Sequence, residues 1–274
     1  MIRFPNAKIN IGLHVINKRE DGYHNIESIF YPIPLCDSLE VLGNSESPKH
    51  SGITLSVHGI ALPDDGVENL CTKAYQLLTK KYTLPPVKSA LLKHIPTGAG
   101  LGGGSSDGAE MLKMLNEFGD LNLTTTELEE LASQLGSDCP FFIQNKPAFV
   151  SGRGELLQPI NLDLSNKFLV LVNPGIHVPT PVAYSHVKPK AATFNLRNII
   201  DLPLDQWTEH IVNDFEKGIF EMHPGIEIIK QKLYEHGALY ASMSGSGSSV
   251  YGLFEQTVEC KSIFPDYFVF SSLL

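Results

Sequence analysis

At 274 residues with a formal net charge of -9, the chain lacks the basic footprint that non-specific nucleic-acid binding needs. Hydrophobic residues make up 42% and charged residues 19%, an ordinary globular balance, and the length allows two domains. Cys36, Cys71, Cys139 and Cys260 are scattered without a Cys-x-x-Cys pair, no apolar run reaches membrane-span length, and no signal-peptide core opens the chain, so a cytoplasmic protein with reduced thiols is expected.

Lys8 to Ile16 alternate strictly: Ile9, Ile11, Leu13 and Val15 share one face of a predicted strand, and Lys8, Asn10, Gly12 and His14 the other. Lys8 and Asn10 beside a glycine suit a solvated edge or, equally, the holding of a phosphate or hydroxyl. Asp21-Gly22 signals a hairpin turn. Tyr23, His24 and Asn25 follow it, and an apolar strand runs on through Phe30; such an aromatic and histidine fit a cross-strand pair or the face of a flat ligand. Asp37 to Val41 and Ile53 to Val57 are predicted as short strands separated by a polar loop over 45–51. Asn69 caps a predicted helix carrying Leu70, Ala74, Leu77 and Leu78.

Val87 to Ile95, apolar and alternating, leads into Pro96-Thr97-Gly98-Ala99-Gly100-Leu101-Gly102-Gly103-Gly104-Ser105-Ser106-Asp107, and a helical pattern with Ala109, Leu112 and Leu115 on one side follows. Glycines let backbone N–H groups approach an anion, and Ser105 and Ser106 are expected to open a helix whose first amides favour phosphate. Gly98-x-Gly100-x-x-Gly103 also matches the dinucleotide fingerprint, but Pro96 parts the strand from the glycines and Asp120 sits in a turn instead of ending a second strand. A Walker A loop fails for want of its lysine, and a mobile linker would not run straight into a patterned helix. The stretch therefore reads as a polyphosphate cradle, and Gly103→Val is expected to weaken polyphosphate binding while leaving the fold intact.

Thr124 and Glu127 make a capping box for a helix through Leu135 that stops at Gly136. In Gly136-Ser137-Asp138-Cys139-Pro140, Asp138 fits a helix N-cap or, alternatively, a fixed carboxylate suited to general-base work or to orienting a hydroxyl. Ala148 to Val150, a Gly152-Arg153-Gly154 turn and Glu155 to Ile160 form a predicted hairpin, and Lys167 to Val172 a buried strand. Pro179-Thr180-Pro181 starts a short helix with Tyr184, and helices are predicted over 204–220 and 226–236. A strand from Ala238, the loop Met243-Ser244-Gly245-Ser246-Gly247-Ser248-Ser249 and a strand over 250–254 complete the reading. That second loop suits a flexible surface hairpin or a second amide-rich ligand contact.

In this order, Ala7 to Leu13, Pro96 to Ser106 and Met243 to Ser249 resemble the three motifs of the GHMP kinase superfamily, with a match across nearly the whole chain. The resemblance implies an α+β, two-domain GHMP kinase fold: an N-terminal ATP-binding domain over 1–160, like ribosomal protein S5 domain 2, and a ferredoxin-like C-terminal domain over 161–274. Asp21 to His24, the triple glycine, Gly136 to Pro140 and Pro179 to Pro181 narrow it to phosphorylation, by ATP with Mg2+, of a small-molecule substrate, cytidine diphosphate-linked methylerythritol, in isoprenoid precursor biosynthesis. It implies Asp138 as base and Lys8 as the group that orients the hydroxyl, with Pro96, Thr97, Gly98, Ala99, Gly100, Leu101, Gly102, Gly103, Gly104, Ser105 and Ser106 around ATP. Asn10, Tyr23, His24, Thr180 and Tyr184 are implied at the substrate, His24 hydrogen-bonding the cytosine between Tyr23 and Tyr184. Tyr184 stands where phenylalanine is frequent and Gly108 where alanine is usual, which would loosen the first turn of the helix. No acidic pair declares a magnesium ligand set. A monomer or weak homodimer without nucleic-acid or membrane partners is expected. A nucleotide-binding module without chemistry, or a GHMP kinase for another small alcohol, is the alternative.

Overall fold

The computed structural model describes residues 1–44, 52–62 and 66–274, so the loop expected over 45–51 lies outside the described residues. In chain order the strands are β1 (Ile2–Arg3), β2 (Asn6–Lys18), β3 (His24–Cys36), β4 (Ser38–Gly43), β5 (Ile53–Gly59), β6 (Val87–Lys93), β7 (Ala148–Ser151), β8 (Leu156–Pro159), β9 (Phe168–Asn173), β10 (Tyr240–Met243), β11 (Val250–Phe254) and β12 (Phe268–Leu273). The helices are α1 (Leu70–Thr79), α2 (Gly103–Phe118), α3 (Thr125–Leu135), α4 (Phe141–Gln144), α5 (Thr180–Ser185), α6 (Trp207–His210), α7 (Glu216–Met222) and α8 (Pro224–Glu235). They form two compact units, one of Met1–Ala7, Leu35–Thr97 and Gly102–Lys146, the other of Lys8–Pro34, Gly98–Leu101 and Pro147–Leu274.

The first unit is built on the sheet β1-β4-β6-β5, antiparallel except for the parallel pair β5–β6. β6 shows why the sequence alternates as it does: Val87, Ser89, Leu91 and Lys93 are all buried. Helices α1, α2 and α3 pack on one another, with α2 burying Ala109, Met111, Leu112, Met114 and Leu115. Gly108 lies against α1, since a Cβ there would lie 2.9 Å from Leu70 Cβ. The residue thus serves helix–helix approach, which corrects the expectation of a loosened turn. Asn69 caps α1 by accepting from the Cys71 amide, and Thr124 and Glu127 form the expected capping box on α3.

The second unit contains two four-stranded sheets, β2-β3-β7-β8 and β10-β11-β9-β12. β9 lies between β11 and β12 and is antiparallel to both, which accounts for its unbroken apolar run. β12 was not legible as a strand in the sequence. Helix α8 packs on β10 and β11 through Ile226, Ile229 and Leu233, joined in the core by Val170, Val172 and Val250.

The region 204–220 is not one helix. The stretch breaks after His210, and α7 resumes at Glu216. Between them Leu13 donates to Val212 O at 2.9 Å and Asp214 donates to Leu13 O at 2.8 Å, so the backbone pairs with β2 rather than with its own preceding turn. The Asn213 side chain completes the break by accepting from the Phe215 amide at 3.0 Å.

Candidate active site

In the second unit, β2 is buried on both faces. Lys8 and Asn10 are 3% and 2% exposed, which rules out the solvated edge. The Lys8 ammonium donates to Asn10 Oδ1 and, at 3.2 Å, to Gly100 O, and it lies 4.3 Å from the centre of the Phe30 ring. Asn10 donates from its side chain to Ser28 Oγ at 2.9 Å and from its backbone to Ser244 Oγ at 3.1 Å, while Tyr251 donates to Asn10 O at 2.9 Å. A buried ammonium flanked by oxygen acceptors is fixed in place and ready to meet developing negative charge.

Gly98–Leu101 and the Met243–Ser249 loop, distant in sequence, are tied together here. Ser244 Oγ donates to Gly100 O at 2.8 Å, and the Ser249 amide donates to Ala99 O at 3.3 Å. Gly100 has a φ of +78°, and a Cβ on it would lie 1.9 Å from Ser244 O, so only glycine allows this approach. The Gly/Ser loop is a hairpin between β10 and β11, but Ser244, Ser248 and Ser249 are fully buried, so it is not a flexible surface turn. Asn213 holds it from beneath, donating to Met243 O and Gly245 O at 2.8 Å each. Sequence reasoning saw Asn213 only as part of a helix and missed this role.

The aromatic residues divide. His24 and Tyr184 stack at 4.6 Å with 12° between their planes, and Tyr184 meets Phe215 edge-on at 4.9 Å. Burial, with the Lys18 charge, holds the His24 imidazole below its ordinary range, so the ring is neutral at neutral pH and can both donate and accept. Tyr23 stands apart at 57% exposure, with the Arg153 guanidinium 5.0 Å over its ring. Thr180 comes to the Gly/Ser loop, its Oγ1 3.5 Å from Ser246 Oγ.

In the first unit, Pro96 and Thr97 follow β6, and α2 starts at Gly103, two residues before the serines expected to open it. Gly102, in the left-handed region at φ +69°, is its N-cap. The amides of Gly103, Gly104 and Ser105 therefore head a sixteen-residue helix, where the macrodipole favours an anion. Gly104 is exposed, and a Cβ there would meet nothing within 4 Å. Gly103 differs: its Cβ would lie 2.8 Å from Ile95 Cγ2 and 3.4 Å from Lys93 Nζ. A valine at 103 would disturb the packing, so the expectation of an intact fold is corrected.

Asp138 lies half-buried in the turn between α3 and α4. The N-cap of α4 is Pro140, without a side-chain cap bond, and α4 is only four residues long. A helix of one turn offers Asp138 no useful dipole at that point. Burial pushes the neighbouring Cys139 thiol up to about 12, more than a hydrogen bond with Ser105 draws it down, so it is no nucleophile at neutral pH. Among the described residues no three His, Cys, Asp or Glu side chains come together as a metal cage, and no helix is long and apolar enough to cross a membrane.

The family model of the GHMP kinase N-terminal domain matches residues 69–152, and that of the GHMP kinase C-terminal domain matches residues 198–260. The chain belongs to the GHMP kinase family. It is 50% identical over 276 residues, covering 100% of both chains, to the 4-diphosphocytidyl-2-C-methyl-D-erythritol kinase of Parabacteroides distasonis. It is 51% identical to the protein of the same name from Bacteroides fragilis over 93% of this chain and 92% of the relative. A crystal structure of 4-(cytidine 5'-diphospho)-2C-methyl-D-erythritol kinase superposes with a TM-score of 0.77 at 34% identity, covering 92% of this chain and 90% of that one. The two-domain α+β GHMP kinase fold expected from the motifs is thus the fold of this chain.

Proposed function

We infer that this chain catalyses ATP-dependent phosphorylation of the 2-hydroxyl of 4-diphosphocytidyl-2-C-methyl-D-erythritol, a step toward isoprenoid precursors. The observation that carries the reading is full-length identity of about one half to relatives bearing that enzyme's name. The buried Lys8–Asn10 pair beside the glycine loop gives it a chemical basis. The proposed boundary of the two domains at 160 falls between the two stretches that the family models match.

Residues 96–106 are proposed to hold the nucleotide's phosphates on backbone amides, which cost no reorganisation when charge develops. Asp138 is assigned the proton of the attacking hydroxyl, and Lys8 the stabilisation of charge as the oxygen attacks. Both assignments rest on the family motifs. Asn10 positions the hydroxyl. His24, Tyr23, Tyr184 and Thr180 are assigned to the cytidine end, supported by the neutral His24 ring and its stack on Tyr184. Since the two rings lie 4.6 Å apart, a base that enters between them must part them, whereas one that stacks on an outer face need not. Mg2+ is proposed to accompany the nucleotide phosphates, in keeping with its habit of keeping waters and few protein ligands. The protein is proposed to act in the cytoplasm on a small molecule, as a monomer or weak homodimer.

Steady-state ADP release with the cytidine substrate, against mevalonate and homoserine, tests the reading. Turnover is expected with the first alone. Release only with another alcohol would make the chain a different kinase of the family, and nucleotide binding without release would make it a binding module.

A further inference from the structure

Outside the residues assigned above, the first unit buries a cluster of three charges. Lys93, the last residue of β6, pairs with Asp37, in the corner between β3 and β4, and with Asp107 of α2 at 2.7 Å. All three are buried: Lys93 and Asp107 are each 2% exposed and Asp37 is 0% exposed. Asp37 is saturated, since beyond Lys93 it accepts from the His94 amide at 2.5 Å and the Ile95 amide at 2.8 Å. Asp107 is not. Its Oδ2 takes the lysine, and its Oδ1 has no partner among the described residues. The cluster therefore ties the strand that enters the glycine loop to the first turns of the helix that leaves it.

We propose that Asp37, Lys93 and Asp107 are positioning residues for the nucleotide, that they fix the N-terminal turn of α2, and that the charge of Asp107 sets how strongly this turn binds phosphate. With every group ionised, one ammonium faces two carboxylates, and the buried surplus is negative at the helix end meant for an anion. A proton on Asp107 removes that surplus and leaves the geometry in place. Burial pushes the Asp107 carboxyl up to about 7, against the pull of Lys93 and with the push of Asp37, so the proton is exchanged near neutral pH. The groups that face Asp107 are Lys93 from β6, Asp37 from the β3–β4 corner and the buried Cys71 thiol from α1. Along its own helix the next acid, Glu110, is held by Lys113 at 2.5 Å. Among the described residues, no charged group of α3 or α4 pairs with Asp107.

The inference rests on residues 96–106 being the nucleotide loop, and its test keeps the two apart. Calorimetric binding of a non-hydrolysable ATP analogue is measured between pH 6 and 8.5 for the wild-type protein and for Asp107→Asn. The ratio of the two dissociation constants at each pH cancels the analogue's own titration. The wild type is expected to weaken relative to Asp107→Asn by about three- to tenfold as pH rises through 7, and the ratio to level off above 8. Asp37→Asn, which keeps an acceptor for the two amides, is expected to move the wild-type transition to lower pH, because Lys93 then serves Asp107 alone. It also provides the test should Asp107→Asn not fold. A flat ratio, or an Asp37→Asn transition that stays in place, overturns the proposal. No binding by the wild type at any pH overturns the loop assignment itself, and the positioning role with it.

Discussion

Gly104→Ala separates fold from function at the phosphate loop. The residue is the second of α2, it is exposed, and an added methyl would meet nothing within 4 Å. Alanine in place of glycine in a helix gains about 0.5–1 kcal/mol, so the melting temperature should hold or rise by about 1–4 °C. The methyl nevertheless projects from the turn whose amides are assigned to phosphate. Losing one charge-assisted hydrogen bond there costs about 1.5–3 kcal/mol, which is roughly a 10- to 150-fold rise in Kd for ATP. Calorimetry with an ATP analogue and thermal unfolding on one preparation read both quantities. Stability and affinity should move in opposite directions. A folded Gly104→Ala protein with raised Tm and unchanged ATP affinity would show that the phosphates do not approach this turn. Gly103, the position that sequence alone nominates, cannot give so clean an answer because its Cβ would strike Ile95.

Tyr184→Ala should raise the KM for the cytidine substrate about ten- to a hundredfold, from a stacking worth of about 1–3 kcal/mol. The ATP KM should stay unchanged, and initial-rate kinetics in both substrates distinguish the two. Stability should also report Asp107. Its carboxyl holds a proton in the folded chain up to about 7 and loses it near 4 in the unfolded chain, so the folded state binds more protons between those values. Urea midpoints should therefore fall as pH rises through that window, and Asp107→Asn should flatten this fall. Asp138→Asn should lower kcat by about 10²–10⁴-fold with both substrates still bound. Lys8→Met should lose a similar factor, and the double variant, followed by single-turnover kinetics, should lose less than the product of the two.

Much of this was legible because local chemistry and tertiary demand agree. The alternation from Lys8 to Val15 gave β2, and Asp21-Gly22 gave its hairpin. Thr124 with Glu127 gave the start of α3. The sequence could not distinguish a strand with one wet face from one buried on both, because Lys8 and Asn10 look alike in either setting until their partners, Gly100 O and Ser28 Oγ, are known. The same limit hid Asn213. Its flanks are helix formers, but long-range bonds to β2 and to the Gly/Ser loop outweigh the local preference. Asp37, Lys93 and Asp107, 56 and 14 residues apart along the chain, carry no spacing signal at all. The serines at 105 and 106 suggested a cap, yet glycine at 102 in the left-handed region starts the helix sooner.

The central claim is the transfer of a phosphoryl group from ATP to one hydroxyl of a cytidine-bearing alcohol. Phosphorus-31 NMR of the reaction of this protein with ATP, Mg2+ and 4-diphosphocytidyl-2-C-methyl-D-erythritol observes it directly. A new phosphomonoester resonance, coupled to the substrate's carbon 2 and growing in step with ADP, is the predicted result. ADP that grows with inorganic phosphate alone, or no ADP beyond the substrate-free control, would contradict the account.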